Sequence, residues 1–287
     1  MKTILLCSDL DRTLIPNGDQ PESPKARELF SLLAARREIA LAYVSGRNEQ
    51  LVKKALDKYA LPEPDFVIGD VGTTLYRIDG EKGRKVWHLD QQWQQEIGRD
   101  WHDRSRDDVA GLLANVHGMG LRPQEEAKQN RYKVSYYTDP DLDGKAVRES
   151  VTVLLEERRI CSTVIWSRDD AAYCGLLDIL PRRANKLQAI RFLLEREKIP
   201  ETDTVFAGDS GNDLDALTSG LKAILVGNSA ADVRRAALEE LGEKGLTGFL
   251  YIARGGLHGM NGNYAAGVLE GVAHFFPETV GWMPAGR

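Results

Sequence analysis

The chain has 287 residues, and its 42% hydrophobic and 28% charged content is ordinary for a globular protein with ample material for a core. The net charge of -5 disfavours a general nucleic-acid binder, which needs a basic surface. Cys7, Cys161 and Cys174 match neither a metal-binding pattern nor an even disulfide framework. No run resembles a leader, and none approaches the ~20 apolar residues that cross a bilayer. We therefore expect a cytoplasmic protein with no nucleic-acid and no membrane partner.

Short apolar runs bounded by turn residues predict buried strands near both ends of the chain. The first three are TILLCSDL, IALAYVS and DFVIGDVG, and the segments between them, PKARELFSLLAARR and NEQLVKKALDKYA, have the apolar spacing of helices. The order β-α-β-α-β predicts a parallel sheet. The same rhythm returns late in the chain as a helix, NKLQAIRFLLEREKI, and two strands, TVFAGDS and AILVGN.

The middle of the chain, from about Trp87 to Leu180, has a different pattern. It begins with a predicted helix whose aromatic face we interpret as core rather than as an exposed binding platform. In order, the predicted segments are a helix with Trp93, Ile97 and Trp101 on one face, an amphipathic segment from Val109 to Val116, a strand in YKVSYYTD, a helix from Lys145 to Arg158, and strands in STVIWS and GLLDIL. This α+β character predicts a second domain, residues 86–180, inserted into a first domain made of residues 1–85 and 181–287.

Two aspartates follow the first predicted strand, in the stretch CSDLDRTLIP. Asp9 and Asp11 are two residues apart, so in an extended chain they point to the same side. The carboxyl end of a parallel strand is where α/β folds bind ligands. Two close carboxylates repel each other unless a cation or a shared proton compensates them. The pair indicates a cation or ligand site; the alternative is a pair of helix-capping aspartates.

Three further residues have groups suited to a phosphate. In VSGR, Ser45 offers a hydroxyl donor and Gly46 allows close backbone approach. The alternative is that Ser45 caps the next helix. Lys186 stands at the predicted start of a helix, where its charge opposes the helix dipole and needs a nearby anion. The alternative for Lys186 is an ordinary surface lysine.

The stretch GDSGNDLDAL is the sharpest signal in the sequence. An apolar strand runs into it directly, so Asp209 and Asp213 are expected at the same sheet edge as the first two aspartates. Carboxylates together with phosphate oxygens are ligands that Mg²⁺ prefers. A simple Asn/Asp/Gly turn is the alternative, but a turn does not explain four acidic groups at one edge.

In this order, DLDRT, SGR, the lysine after the insertion and GDSGND resemble the four motifs of the haloacid dehalogenase (HAD) superfamily of phosphatases. The insertion between the second and third motifs resembles the large α/β cap of the type IIB subgroup. More narrowly, EPDFVIGDVGTTLY, QNRYKVSYY, LLDILPRRANKLQAI and AGVLEGVAHF resemble sucrose-6-phosphate phosphatases. The resemblance spans nearly the whole chain. It implies an α/β fold, with a HAD-like Rossmannoid core, a parallel sheet and an inserted α+β cap.

The resemblance also implies chemical roles. Asp9 would be the nucleophile that forms an aspartyl-phosphate. Asp11 would be the general acid and later the base, a role that needs a pKa raised toward neutrality. Ser45, Gly46 and Lys186 would bind the phosphoryl oxygens.

The implied cofactor is Mg²⁺, held by carboxylates from both halves of the first domain. The implied ligands are the Asp9 carboxylate, the Asp11 backbone carbonyl and Asp209, with Asp213 binding through water or orienting its neighbours and Asn212 assisting. The substrate would be a small-molecule sugar phosphate, with sucrose-6-phosphate hydrolysed to sucrose and phosphate.

Two arginines lie close to these motifs. Many relatives have glycine where Arg12 stands in DLDRT. We expect the Arg12 side chain to face away from Asp9 and Asp11, with little effect on the chemistry. Arg47 is within reach of a substrate, but we favour a structural salt bridge for it.

Substrate choice is expected to lie in the inserted domain, because a cap closes over such a site and completes recognition. Sugar hydroxyls need several converging donors and acceptors. The candidates, polar residues beside predicted strands, are Asn130, Lys133, Ser167, Arg168, Asp169 and Asp170. The alternative for each candidate is an exposed polar side chain.

The sequence is also compatible with other functions. The substrate could be another sugar phosphate, such as mannosylfructose-phosphate or a glucosyl- or mannosyl-glycerate phosphate. A phosphosugar mutase would need a basic group for a second phosphate, and Lys128, Arg131 and Lys133 form the one obvious basic cluster. A non-catalytic HAD-like partner of a sugar-phosphate synthase is the remaining alternative, and association with such a synthase is kept as an expectation.

Overall fold

The computed structural model describes residues 3–81, 84–114, 118–169 and 172–284. The strands are, in chain order, β1 (Ile4–Ser8), β2 (Ile39–Val44), β3 (Phe66–Gly69), β4 (Thr74–Glu81), β5 (Arg84–Leu89), β6 (Arg122–Pro123), β7 (Val134–Thr138), β8 (Ser162–Asp169), β9 (Cys174–Pro181), β10 (Thr204–Gly208), β11 (Lys222–Leu225) and β12 (Leu250–Ile252). The α-helices are α1 (Ala26–Ala34), α2 (Glu49–Tyr59), α3 (Gln91–Gly98), α4 (Arg106–Leu113), α5 (Gly144–Glu157), α6 (Lys186–Glu197), α7 (Leu214–Leu217), α8 (Ala231–Lys244) and α9 (Ala265–Phe275). Within these residues, no helix is both long enough and apolar enough to span a bilayer.

The chain divides into two compact units. The first consists of Met1–Leu89 and Lys186–Arg287, and the second of Asp90–Asn185. Both transitions fall a few residues later than the sequence analysis placed them. At the first transition the reason is that β5 pairs antiparallel with β4 and so belongs to the large sheet of the first unit.

An eight-stranded sheet forms the centre of the first unit, in the order β12-β11-β10-β1-β2-β3-β4-β5. The six strands from β12 to β3 are parallel, and β4 and β5 add an antiparallel edge. The α/β class and the parallel core are therefore confirmed. The sequence analysis missed β4, β5 and β12. Strands β4 and β5 mix charged and apolar residues, as half-exposed antiparallel strands do.

The register of the central strands decides which residues meet at the sheet edge. Ser8, the last residue of β1, is paired with Ala207 in β10 and with Tyr43 in β2. The segments that follow these three strands therefore leave the sheet at the same edge. They contain the three motifs that the sequence analysis singled out as DLDRT, SGR and GDSGND.

The core of the first unit lies between the sheet and its helices. Leu29, Phe30 and Leu33 form the buried face of α1, at the spacing that the sequence predicted. Helix α9 is buried along most of its length and packs on α1 and β11. This packing fixes β1 and its neighbours, which are buried strands with apolar residues on both faces.

The second unit contains a four-stranded antiparallel sheet in the order β6-β7-β9-β8. Trp93, Ile97 and Trp101 are buried, and the Trp101 indole N–H donates to Ser162 Oγ at 3.0 Å. The interpretation of this aromatic face as core is confirmed. Helix α4 ends at Leu113, and the final residues of the amphipathic segment predicted around it, 115–116, lie outside the described residues.

Candidate active site

Lys186 is a buried cation at the centre of the first unit's sheet edge. It is the first residue of α6 and only 3% exposed. Its Nζ donates to Asp9 Oδ1 at 3.0 Å, to Asp213 Oδ1 at 2.7 Å and to Asn212 Oδ1 at 3.3 Å. Burial by itself would lower the pKa of Lys186, but the charges of Asp213 and Asp9 raise this pKa above its ordinary value. The alternative of a surface lysine is wrong, and these partners are the anions that a lysine at a helix start needs.

Asp9 leaves β1 with its backbone still paired to the sheet. Its N–H donates to the carbonyl of Ala207 at 2.9 Å, and the residue is 5% exposed. The next α-helix begins only at Ala26. Asp9 therefore does not cap a helix; its carboxylate is held in the protein by the Lys186 ammonium.

Asp213 is held more tightly than the other carboxylates of the site. Its Oδ2 accepts from the N–H of Asp209 and of Ser210, both at 3.1 Å, and from Ser210 Oγ at 3.2 Å. A side chain on Gly208 would place Cβ 2.6 Å from Asp213 Cγ, so glycine is needed there. Because Lys186 occupies Oδ1, both oxygens already accept hydrogen bonds. Asp213 orients the loop after β10, which is one of the two roles expected for it.

The acidic groups fit a hard divalent cation. Carboxylate oxygens of Asp9, Asp209 and Asp213 lie within 4.8 Å of one another. This donor set contains oxygen only, which suits Mg²⁺ and not a softer metal. Since Asp213 is already saturated by donors, Asp9 and Asp209 are the better candidates for direct ligands.

Burial, together with neighbouring carboxylates, raises two pKa values in this cluster. Burial raises the pKa of Asp9 to about 7, with Lys186 opposing the rise and Asp213 adding to it. Burial raises the pKa of Asp209 to about 6, and the charge of Asp213 adds to this rise. Both raised pKa values lie close to neutrality.

Cation binding should consequently depend on pH. A divalent cation binds the ionised carboxylates, so it competes with protons below the raised pKa values of Asp9 and Asp209. We expect MgCl₂ to raise the Tm by about 4 °C or more near pH 8 but by about 1 °C near pH 5.5. Differential scanning fluorimetry measures both shifts. Asp209→Asn should reduce the shift at pH 8, and an equal shift of the wild type at both pH values would contradict the prediction.

Asp11 has different neighbours from Asp9. Arg47 donates to it from Nη2 at 2.6 Å and from Nε at 2.7 Å, and Asn17 Nδ2 donates at 2.7 Å. Partial burial would raise the pKa of Asp11, but these hydrogen bonds and the Arg47 charge outweigh it and hold the pKa below its ordinary value. The expected rise toward neutrality is wrong for this arrangement. The salt bridge that we favoured for Arg47 is confirmed, and Asp11 is its partner.

The SGR segment follows β2 beside these carboxylates. Ser45 is buried, and its Oγ accepts from the Arg47 N–H at 3.2 Å. The helix cap belongs to Asn48, whose Oδ1 accepts from the Leu51 N–H at 2.9 Å, so Ser45 is not the N-cap of α2. A cleft of about 280 Å³ lies at this edge of the first unit. It is lined by Asp9, Asp11, Arg12, Gly46, Arg47, Asp209, Ser210, Asn212, Ala230 and Val233.

Arg12 contacts the last of the acidic motifs. We expected its side chain to face away from Asp9 and Asp11, and its Nε lies 3.4 Å from Asp209 Oδ2. The same carboxylate accepts from Thr13 Oγ1 at 3.3 Å through its other oxygen. The reason is the tight turn after β1, in which Arg12 has a φ of 58°. Sequence reasoning missed Arg12, Thr13 and Asn17 as partners of the carboxylates. The available signal concerned Arg12 alone, which stands in DLDRT where many relatives have glycine.

The candidate sugar contacts in the second unit do not form one cluster. Asn130 and Lys133 precede β7, whose first residue pairs with Ile179 of β9. Ser167, Arg168 and Asp169 end β8 and pair with residues 176 to 174 of β9. At ~3.3 Å per residue, the two groups are separated by roughly 13–20 Å along the sheet. Asp170, the remaining candidate, lies outside the described residues.

The two groups also differ in their local partners. Lys133 is buried, and its Nζ lies 3.9 Å from Asp178 Oδ1, beyond hydrogen-bond distance. Arg168 instead contacts Asp141, at 3.8 Å, and the Tyr173 ring. A cavity of about 940 Å³ in this unit has Tyr173 and Asp141 in its wall, but none of the described candidates lines it.

The basic cluster proposed for a mutase is dispersed among separate partners. Lys128 donates to Tyr137 Oη at 3.1 Å, and Arg131 stacks on Tyr132. Lys133 faces Asp178. Since the three cations contact three different groups, these described residues do not gather around one phosphate.

The fold is that of the HAD-type hydrolases. The structure of the sucrose-phosphatase from Synechocystis sp. PCC6803, in complex with sucrose and phosphate, is similar with a TM-score of 0.72. The two chains are 28% identical, and the similarity covers 96% of this chain and 98% of the other. The large parallel sheet with its acidic edge thus defines a phosphatase of the HAD superfamily.

The chain belongs to the sucrose-6F-phosphate phosphohydrolase family, which matches residues 2–276. A protein of Nitrosococcus oceani described only as HAD-like hydrolase is 54% identical over 284 residues, 99% of this chain and 75% of that protein. The mannosylfructose-phosphate phosphatase of Agrobacterium fabrum is 30% identical over 232 residues, 80% of this chain and 85% of that one. The resemblance inferred from the motifs is confirmed, and the chain is a phosphatase acting on a sugar phosphate.

Proposed function

We propose that the chain is a Mg²⁺-dependent phosphatase that hydrolyses sucrose-6-phosphate to sucrose and phosphate through a phosphorylated Asp9. The observation that carries the proposal is the buried Lys186 ammonium, which holds Asp9 and Asp213 beside Asp209 at the edge of the parallel sheet. Membership of the sucrose-6F-phosphate phosphohydrolase family supports the choice of substrate.

Asp9 is the proposed nucleophile. Lys186 holds Oδ1, while Oδ2 of Asp9 accepts no hydrogen bond from the described residues. Oδ2 attacks phosphorus, the bond from phosphorus to the sugar oxygen breaks, and an aspartyl-phosphate forms. Water then attacks the same phosphorus, which releases phosphate and restores the carboxylate. Ser45 and Gly46 bind the phosphoryl oxygens through their hydroxyl and backbone N–H groups, and the Lys186 ammonium donates to a phosphoryl oxygen in place of its 3.3 Å contact with Asn212.

The cation would be held by Asp9, Asp209 and the backbone carbonyl of Asp11, with Asp213 orienting the loop and Asn212 nearby. When bound, Mg²⁺ supplies positive charge that offsets these carboxylates and the charge on the transferring group. The oxygen-only cluster of three carboxylates supports this assignment.

Asp11 is the proposed proton donor to the departing sugar oxygen and acceptor from the attacking water. In this arrangement the Asp11 carboxylate only accepts hydrogen bonds, which Arg47 and Asn17 donate. The role therefore requires Asp11 to leave Arg47 when substrate binds, because a carboxylate in a bidentate salt bridge resists protonation.

Recognition of the sugar is proposed for the second unit. Lys133 is the strongest of the candidates, because its buried ammonium has Asp178 at 3.9 Å and can donate to a hydroxyl. Arg168 and Asp169 are weaker candidates since both are engaged locally, Asp169 by the N–H of Ala172 at 3.0 Å. A cytoplasmic location and association with a sugar-phosphate synthase stay predictions of the sequence.

A second candidate substrate is mannosylfructose-phosphate. The similarity to the Agrobacterium fabrum phosphatase favours it, since that protein is 30% identical and aligns over 80% of this chain. The mutase and the non-catalytic partner have less support. Lys128 and Lys133 contact different groups and do not gather at a second phosphate site, and a degenerate module has no need for the charges collected around Lys186.

Phosphate release from a panel of sugar phosphates tests the proposal. We expect sucrose-6-phosphate to have a kcat/KM at least about tenfold above those of mannosylfructose-phosphate, trehalose-6-phosphate and glucose-6-phosphate. EDTA should abolish release, and added MgCl₂ should restore it. A higher kcat/KM for mannosylfructose-phosphate would select the second candidate, and turnover that resists EDTA would contradict the cation requirement.

A further inference from the structure

Arg12 sits in a strained turn that is anchored on both sides. Its φ of 58° is in the left-handed region, which is costly for a residue with a long side chain. Asn17 Oδ1 accepts from the Arg12 N–H at 2.8 Å, and Asn228 Nδ2 donates to the Arg12 carbonyl at 2.6 Å. These contacts fix the backbone from which the Arg12 side chain extends.

The Arg12 guanidinium lies against Asp209, one of the two best candidates for a cation ligand. Arg12 Nε is 3.4 Å from Asp209 Oδ2, and both residues line the cleft. The Asp209 side chain is only 4% exposed, whereas that of Arg12 is 47% exposed. The guanidinium therefore lies on the solvent side of a carboxylate that is otherwise buried.

The contact with Arg12 reduces the negative charge that a cation meets at Asp209. The site contains four carboxylates, from Asp9, Asp11, Asp209 and Asp213, and three cations, from Arg12, Arg47 and Lys186. With every group ionised, one negative charge remains, and two would remain without Arg12. A divalent cation at Asp209 thus meets a positive charge within a few ångströms, and like charges at that distance repel.

We propose that Arg12 competes with the divalent cation for Asp209 and weakens cation binding before substrate arrives. This inference rests on the proposed function, since it concerns the same cation site. Arg12 is a positioning residue here: it acts through the Asp209 carboxylate and not on the reacting atoms. When the cation binds, the guanidinium leaves Asp209 for the open side of the cleft.

Cation titrations without substrate test the proposal. Isothermal titration calorimetry with MnCl₂ gives the Kd for wild type, Arg12→Gln, Arg12→Asn and Arg12→Lys. We expect Arg12→Gln and Arg12→Asn to bind about tenfold more tightly than wild type, and Arg12→Lys to stay within about twofold. Asparagine tolerates the left-handed backbone, so that variant separates loss of charge from a disturbed turn.

Salt provides a second readout that a purely structural role would not produce. Since the Arg12 side chain is half-exposed, the Kd difference between wild type and Arg12→Gln should shrink as KCl is raised to about 1 M. Equal or weaker binding by both neutral variants at low salt would overturn the proposal. If wild type binds no cation at all, the proposed function itself fails; unchanged affinity in the neutral variants, with wild type binding, overturns only the role of Arg12.

Discussion

Asp9→Asn should reduce phosphate release by about 10⁴-fold or more without unfolding the protein. An amide is a poor nucleophile and a weak cation ligand, so the step that forms the phosphorylated residue is lost. The fold should survive because Lys186 keeps Asp213 as a partner at 2.7 Å. The substitution also removes one of several crowded carboxylates, so the free energy of unfolding should change by less than about 2 kcal/mol.

Initial rates with sucrose-6-phosphate and saturating MgCl₂ measure this loss. Asp9→Ala should be measured in parallel, because an asparagine can deamidate and restore the aspartate. Asp57→Asn is the matched control, since Asp57 is exposed on α2, away from the cleft. Residual activity above about one per cent of wild type in both Asp9 variants would remove Asp9 as nucleophile.

Lys186→Met should cost both activity and stability. The ammonium is buried between Asp9 and Asp213, and its loss leaves both carboxylates without this buried counter-charge. Removing one partner of a buried ion pair typically costs about 3–5 kcal/mol. Because the charge of Lys186 lowers the pKa of Asp9, that pKa should rise further in the variant. Loss of a donor to the phosphoryl group should lower kcat by about 10²–10³-fold.

Urea unfolding in EDTA and in MgCl₂ separates the two effects. We expect the destabilisation to be largest in EDTA and smaller in MgCl₂, because a divalent cation compensates the same carboxylates. Lys54→Met serves as the control on the exposed face of α2. A Lys186→Met protein as stable as wild type in EDTA would mean that the lysine is not the counter-charge of this cluster.

The sequence was sufficient to predict those elements and residues for which one physical pattern dominates. Buried parallel strands are apolar on both faces, so β1, β2 and β10 could be predicted from short runs. The antiparallel strands β4 and β5 carry mixed residues and lack such a pattern. Lys186 could be predicted because a cation at a helix start needs an anion, even though Asp9 is 177 positions away.

Pairing between charged side chains was less predictable. The sequence contains many arginines, and it does not indicate which carboxylate each one contacts. Arg47 was expected to form a salt bridge, but its bidentate contact with Asp11, and the resulting low pKa, depend on side-chain positions. Arg12 reaches Asp209 only because its backbone adopts a left-handed turn, which sequence patterns disfavour for arginine.

The candidate sugar contacts lie at two separate places on the second unit's sheet for a related reason. Polar residues beside strands were chosen by position along the chain, whereas strand register decides where each one lies. Antiparallel pairing puts Lys133 and Ser167 toward opposite ends of the same sheet. Only the register, which the sequence does not specify, separates them.

Chemical trapping of the phosphorylated residue tests the central claim most directly. The enzyme is mixed with sucrose-6-phosphate and MgCl₂, quenched in acid during turnover and reduced with borohydride, which converts an aspartyl-phosphate to homoserine. Peptide mass spectrometry should then find homoserine at position 9, and none when EDTA is present. Phosphate release at full rate with homoserine at another position, or at none, would contradict the account.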